Sequence, residues 1–573
     1  MNLEITNYSP EVLKTDLIKF LKSNPDFKDF DYEGSTINTI VDLLVRNTYY
    51  IAYAGNMIAT ESFLDSAQIR ANVVSHAQKL SYRPKSKTAS TMIVDVLVNS
   101  TVNTPSVPNI VIPKNTTFVK KVLDNSYRFI TTEDYTAYRD TNGNYLGTDI
   151  TLKQGTILTE KYTYKKLDIM VMNKDIDTST LKVFVTDKNT NQRFEYIQPE
   201  HIIEVSRKDR NYYLHENTLG TYTIQFGKDI LGQEPNEGDI ITVEYVACEY
   251  VTGNQIEDII CTSLINGTPD ILTNVKVPSF GGSDLTDIEE IKFIAPKIYK
   301  SQRRAVTNDD YEALVLELFP FVKSVKVWSG ADNVPPFYGT VFISCVAKEG
   351  YGIPDAVKDE IVTELGEYKV GVSRILMTDP LFTNIDINIV AYYNQTQTTQ
   401  TLSQIQSSLN TNVELYGKEH LNKFGGWFNY SNFVGEIVKG TVIESVDVST
   451  RLSQTQTVTL NQNTSYDFEF GNAIKENTVE LLSSNNFDAS QTEATITDND
   501  GNIFLNIKID NTTTSKNIGT IDYDTGSIKI KTLILDGDDL TIGCNTEMNN
   551  VFSKNNNVIS LHNVNITRGV NNG

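Results

Sequence analysis

The hydrophobic positions of the first 83 residues recur at helical spacing. Ser9 followed by Pro10 reads as an N-cap with proline at the first helical position. Val12, Leu13, Leu17, Phe20 and Leu21 then mark one helix, closed by Asn24-Pro25. Gly34-Ser35 opens a longer helix, predicted over residues 35–64. Within it Ile37, Val41, Leu44, Thr48, Ile51, Gly55 and Ile58 alternate in steps of 4 and 3, the a/d pattern of a coiled-coil seam. Ile40, Val45, Ala52 and Ala59 widen the stripe beyond one neighbour's reach. Two readings fit: a bundle internal to the chain, or one shared with helices of another chain. Asp65-Ser66 is expected to cap a third helix ending near Leu80, and Pro84 closes the block.

From about residue 88 to 280 the period changes to two. TMIVDVLV, TFVKKV, YRFITTED, KVFVTD, YTIQF and DIITVEYV are strand-like, and Asn142-Gly143 is a hairpin signal. A glycine-rich break at residues 278–284 precedes a helix carrying Glu289, Glu290 and Lys292. Residues 307–448 alternate helix and strand: a helix capped by Thr307 and stopped by Pro320, another opened by Pro354, and two more over residues 402–416 and 430–440, with strands between. The last 120 or so residues are polar and strand-like. Turns are expected at Asn499-Asp500-Gly501-Asn502, Asp524-Thr525-Gly526 and Asp536-Gly537-Asp538. The Gln/Thr/Asn tracts near 394–400 and 453–465 read as mobile connectors.

The pattern predicts a multidomain α+β chain: an N-terminal helical bundle segment, a β-rich middle, α/β layered domains and a β-rich C-terminal domain. The expected boundaries are 1–83, 84–285, 286–380, 381–450 and 451–573.

Composition narrows the function. In 573 residues, 50 basic and 72 acidic side chains leave a net charge of −22, which argues against a nucleic-acid partner. No run approaches the roughly 20 apolar residues of a membrane span, and the start lacks the features of a secretory signal. The four cysteines, Cys248, Cys261, Cys345 and Cys544, have no CxxC spacing and read as reduced, mostly buried thiols. The five histidines are scattered, without HExxH or paired spacing. No nucleophile elbow, P-loop or dinucleotide fingerprint is present. No catalytic residue, cofactor or metal ligand is therefore expected.

Other candidates each have a plainer reading. Asp498-Asn499-Asp500-Gly501 hints at calcium, but counting back from the glycine puts Ile496 at the first ligand position, so a hairpin turn is favoured. Glu289-Glu290 and Asp309-Asp310 are adjacent on helices, so neither pair faces itself, and solvated or capping roles are expected. Trp427, after Gly425-Gly426, reads as a core anchor, with a carbohydrate platform as the alternative. Arg303-Arg304 offers a clamp on a carboxylate of this chain or of a neighbour, or a solvated turn.

The run FDYEGSTINTIVDLLVRNTYYIAYAGNMIATESFLDSAQIRANVVSHAQKLSYRPKSKTAS, residues 30–90, resembles the start of T4-type baseplate wedge subunits, a branch of the baseplate J-like family. IPKNTTF with FITTED, the turn and Gly-Asn corner in IQFGKDILGQEPNEGDIITVEYVACEYVTGNQ, the block at residues 296–345 and GTIDYDTGSIKI resemble further segments of that family, in order. The resemblance implies a virion protein of the tail baseplate of a contractile bacteriophage, assembled in the host cytoplasm, with no catalytic residues or cofactor. It implies a homodimer closing into a ring of dimers around the hub that couples host contact to sheath contraction. It also implies a second wedge protein bound through the N-terminal helices, and contacts with sheath-initiator and hub-proximal proteins. Nucleic acid and membrane are not among the expected partners. A β-rich tail adhesin binding host glycans is the alternative, and a tail-associated glycan hydrolase resting only on abundant carboxylates comes third.

Overall fold

The computed structural model describes residues 9–23, 35–99, 107–122, 125–199, 205–217, 220–249, 253–333, 336–348, 352–371, 373–392, 400–441, 443, 445–457, 465–470, 474–481, 493–509, 512–531, 539–545, 551–552 and 557–568. An N-terminal helical segment leads into β-rich sheets, then mixed helices and strands, then a β-rich C-terminal region. The chain divides into two compact units, Met1–Arg303 and Arg304–Gly573.

In the first unit, α1 (Pro10–Lys22) starts where Ser9 accepts a bond from the Val12 amide, and Pro10 occupies a position whose N–H would be unpaired anyway. α1 packs along α2 (Thr36–Glu61), which Ser35 caps in the same manner. α3 (Arg70–Lys79) begins later than expected. Asp65-Ser66 does not cap it, because the Ser66 hydroxyl donates back to the Thr60 carbonyl. The Glu61 carboxylate instead accepts from the amides of Gln68 and Ile69 and from the Asn72 side chain. Burial opposes the charge on Glu61, but these donors hold its carboxyl below the usual range.

The next segment folds around two separate apolar cores. The strand Thr91–Val98 sits between Tyr145–Gln154 and Ile271–Phe280 in an eight-stranded sheet, and Met92, Val94, Val96 and Val98 point inward at the period of two. Asn142-Gly143 turns between Tyr135–Arg139 and Tyr145–Gln154, as the motif predicts. The second core is shared by a four-stranded sheet centred on Ile176–Thr186 and Ile240–Ala247 and a three-stranded sheet centred on Tyr222–Phe226. α4 (Ile288–Ser301) lies against α3 and buries Ile291, Ile294, Ala295 and Ile298. Arg70 of α3 joins these parts: its Nε lies 2.5 Å from Glu216 Oε1, and its Nη1 donates to the Thr286 carbonyl.

The second unit opens with α5 (Asn308–Leu318), where Thr307 and Asp310 form a reciprocal capping box. A three-stranded sheet (Val322–Ser329, Thr340–Ala347, Arg374–Met377) follows, with α6 (Asp355–Tyr368) before its last strand. The long strand Leu381–Tyr392 pairs antiparallel with Ser445–Thr457 and parallel with the C-terminal strand Asn557–Arg568. α7 (Leu402–His420) and α8 (Tyr430–Val438) pack on each other and on this sheet. A second five-stranded sheet runs Ser465–Glu469, Ser527–Lys531, Thr512–Asp522, Asn502–Ile509, Glu493–Asn499. One core runs through both sheets and both helices, from Ile389, Leu409 and Phe433 to Phe468, Ile496 and Ile528. Residues 381–450 and 451–573 thus share their apolar interior.

The tract expected to be a mobile connector from residue 453 is strand as far as Thr457. Ser453 and Gln454 pair on both sides and Thr455–Thr457 on one, and the buried Gln454 amide donates to Thr383 Oγ1 at 2.6 Å. Polar side chains are tolerated here because the ladder and a cross-strand partner satisfy them. Residues 393–399, 458–464 and 536–538 lie outside the described residues, and so does the turn expected at Asp536-Gly537-Asp538.

Candidate assembly surface

α2 is 26 residues long, roughly 39 Å at 1.5 Å per residue. Over that length its charged side chains are Asp42, Arg46 and Glu61. One face, carried by Asn38, Val41 and Val45, is buried where α1 packs, and Lys14 of α1 pairs with Asp42 at 2.7 Å. The opposite face is apolar and exposed: Ile40, Leu43, Leu44, Tyr50, Ile51, Met57 and Ile58. At 100° per residue these seven positions cover less than half of the helix circumference, a width that suits docking of one or two further helices.

The predicted seam runs along the boundary between the two faces. Val41 is 3% exposed and turned inward, and Ile37 is half-buried. Leu44, at 47%, Ile51 and Ile58 are exposed, as are Thr48 and Gly55, and a Cβ at Gly55 would meet nothing within 4 Å. Leu43, Tyr50, Met57 and, beyond the helix, Phe63 are exposed apolar residues that the heptad reading passed over. Their signal was present: the apolar positions of α2 cover far more of its circumference than an a/d seam, leaving a polar strip of Asn38, Asp42, Arg46 and Asn56.

Arg303 and Arg304 are both exposed. Arg303 follows the left-handed cap of α4 at Gln302, has a positive φ itself, and donates its amide to Ser301 Oγ. The other chemical candidates resolve into structural roles. Glu289 sits in the first turn of α4, where negative charge is favoured, and pairs with Lys292. Asp310 closes the capping box of α5. Asp500 and Gly501 form the tight turn between Glu493–Asn499 and Asn502–Ile509, both with positive φ, and the buried Asp498 carboxylate accepts from the amides of Asn477 and Val479 and from the Tyr523 hydroxyl. Trp427, expected as a core anchor, is 46% exposed, and its neighbour Phe428 fills the core instead, because the short strand Trp427–Phe428 sends successive side chains to opposite sides. All four cysteines are buried and outside disulfides. One trio among the described residues, Glu419, His420 and Glu436, brings imidazole and carboxylates together.

Three stretches of the chain match known protein families. Residues 9–82 match the family described as "Baseplate wedge protein gp6-like, helical domain". Residues 89–155 match "Baseplate wedge protein gp6, domain II", and residues 307–374 match "Baseplate structural protein gp6, C-terminal domain I". The chain is 27% identical over 459 residues to "Baseplate wedge protein gp6" of Enterobacteria phage T4, a match covering 74% of this chain and 66% of that protein. A chain in the 6-fold symmetrised cryo-EM structure of the anti-feeding prophage baseplate aligns over 78% of this chain and 95% of its own length, at 10% identity and a TM-score of 0.29. On the sequence matches the chain is a structural component of a phage tail baseplate.

Proposed function

We propose that the chain is a wedge subunit of a contractile phage tail that acts by holding other proteins, without catalysis. The observation that carries this reading is the exposed, nearly uncharged apolar face of α2, in a segment that matches a baseplate wedge helical domain. A face of this kind buries itself in a partner once one is present, since each buried Leu or Ile contributes roughly 1.5–3 kcal/mol. The occupant is a helical pair from a second wedge protein, and the exposed seam positions Leu44, Thr48, Ile51, Gly55 and Ile58 line its near edge, with Ile37 half-buried at its start and Val41 given up to the contact with α1. Two copies of the chain form a dimer, and dimers close into a ring around the hub. A ring needs two different self-contacts, because an isologous contact alone stops at two copies. Arg303 and Arg304 suit one such contact with a carboxylate of a neighbour. The ring meets sheath-initiator and hub-proximal proteins and couples host contact to sheath contraction. A place in the baseplate J-like branch is part of the same proposal.

Affinity capture of the tagged chain from infected cells, with mass spectrometry and light scattering on the product, tests this. Recovery of two copies with other tail proteins at fixed stoichiometry is expected. Recovery as a lone monomer overturns it and returns weight to the adhesin reading, which rests on the half-exposed Trp427 and which a glycan array would then decide.

A further inference from the structure

The end of α7 gathers groups that the assembly role does not use. Glu419 and His420 are consecutive in its last turn, and α8 brings Glu436 against them. His420 Nε2 lies 3.2 Å from Glu436 Oε1 and 4.0 Å from Glu419 Oε2, and one donor atom of each residue falls within 4.8 Å of the others. Zinc bound tetrahedrally to nitrogen and oxygen at roughly 2.0–2.1 Å spaces its ligands about 3.3 Å apart. The separation of His420 from Glu436 matches that spacing, and Glu419, at 4.0 Å, reaches it by a change of side-chain rotamer.

Direct pairing does not explain the arrangement. His420 Nε2 is sealed from solvent and makes no hydrogen bond, although Glu436 Oε1 lies 3.2 Å away. A buried, unbonded ring nitrogen is costly, and its lone pair is what a metal takes. The ring itself is held by Tyr416, with centroids 4.7 Å apart. Both carboxylates occupy the last turns of their helices, where the macrodipole disfavours an anion and a cation relieves the strain. The nearby ammonium groups address the backbone: Lys323 donates to the carbonyls of Lys418 and Leu421, and Lys423 donates to that of Glu419.

We propose that Glu419, His420 and Glu436 bind a zinc-class divalent cation that pins the end of α7 to α8, with water completing its shell. The full-length chain, stripped with EDTA, is titrated with cobalt(II) as the probe, followed by its visible d–d absorption and by displacement with zinc. One equivalent is expected to bind, raising the melting temperature. His420→Ala and Glu436→Gln should each weaken uptake by at least the roughly 10- to 100-fold that loss of a ligand's supporting partner costs. Glu364→Gln, an exposed carboxylate on α6, should change nothing. Circular dichroism checks the fold. If His420→Ala does not fold, Glu419→Gln and Glu436→Gln, both at partly exposed side chains, decide the matter. No saturable uptake by the stripped chain, or equal uptake by the carboxylate variants, overturns the site.

Discussion

At the scale of single residues, Arg70 shows how much one side chain can hold. Its side chain is 17% exposed and that of its partner Glu216 only 6%, so removing the arginine strands a buried carboxylate. Arg70→Ala should cost about 3–5 kcal/mol in urea denaturation, whereas the double change Arg70→Met with Glu216→Leu should cost far less. A loss under about 1 kcal/mol in the single variant would mean that water reaches Glu216 freely. Gly227, in the Phe-Gly turn singled out from the sequence, is required for a different reason. A Cβ there would sit 2.0 Å from the Leu231 carbonyl oxygen, whose own amide bonds back to Gly227. The glycine is needed for close backbone approach, while Gly501 is needed for its positive φ. A sequence shows that a glycine is present but not which of these two demands it meets.

At the scale of elements, α2 separates stability from assembly. Val41→Asp places an unpaired charge in the contact with α1 and should unfold the helical segment, read as lost helicity by circular dichroism. Leu44→Asp, one turn away on the exposed face, should change stability by no more than about 0.5 kcal/mol. It should nevertheless abolish co-purification with wedge partners. Equal effects of the two changes on folding would remove the distinction between the faces. The end of α7 carries a pH dependence of its own. Burial, reinforced by the charge of Lys423, lowers Lys323 to about 8. Between that value and the ordinary lysine range the unfolded chain holds a proton that the folded chain has lost. This group's contribution to stability therefore rises with pH across that window, and its full cost is present below pH 8. Relative to Lys323→Met, the unaltered chain should gain on the order of 2 kcal/mol between pH 7 and 9.5 in denaturant titrations. A flat difference would show that the two carbonyl acceptors solvate the ammonium as well as water does.

At the scale of the whole molecule, the four cysteines report on packing. All are buried, and burial pushes the thiols of Cys261, Cys345 and Cys544 up. Ellman's reagent should label none of the four within minutes in the native chain and all four in guanidinium without reductant; rapid native labelling would mean that a core opens. Much of the architecture is legible from local pattern. The caps at Ser9, Ser35 and Thr307, the strand at residues 91–98, the Asn142-Gly143 and Asp500-Gly501 turns and the apolar excess of α2 all depend on residues a few positions apart. Where the reading failed, the deciding partner was distant or belonged to another element. Glu61 took the backbone amides ahead of α3 where Asp65-Ser66 was expected to cap it, Thr383 drew Gln454 into a strand, and Phe428 took the core place expected of Trp427. The sequence by itself determined most of the helices and strands, that α2 has more apolar surface than one neighbour can cover, and that the molecule is acidic. Periodicity and charge are properties of the chain before it folds. Only the tertiary structure decided which face of α2 the chain keeps for itself, that Asn557–Arg568 returns to pair beside Leu381–Tyr392, and that an imidazole and two carboxylates meet where α7 ends. Those outcomes depend on contacts between residues far apart in sequence, and no local pattern encodes them.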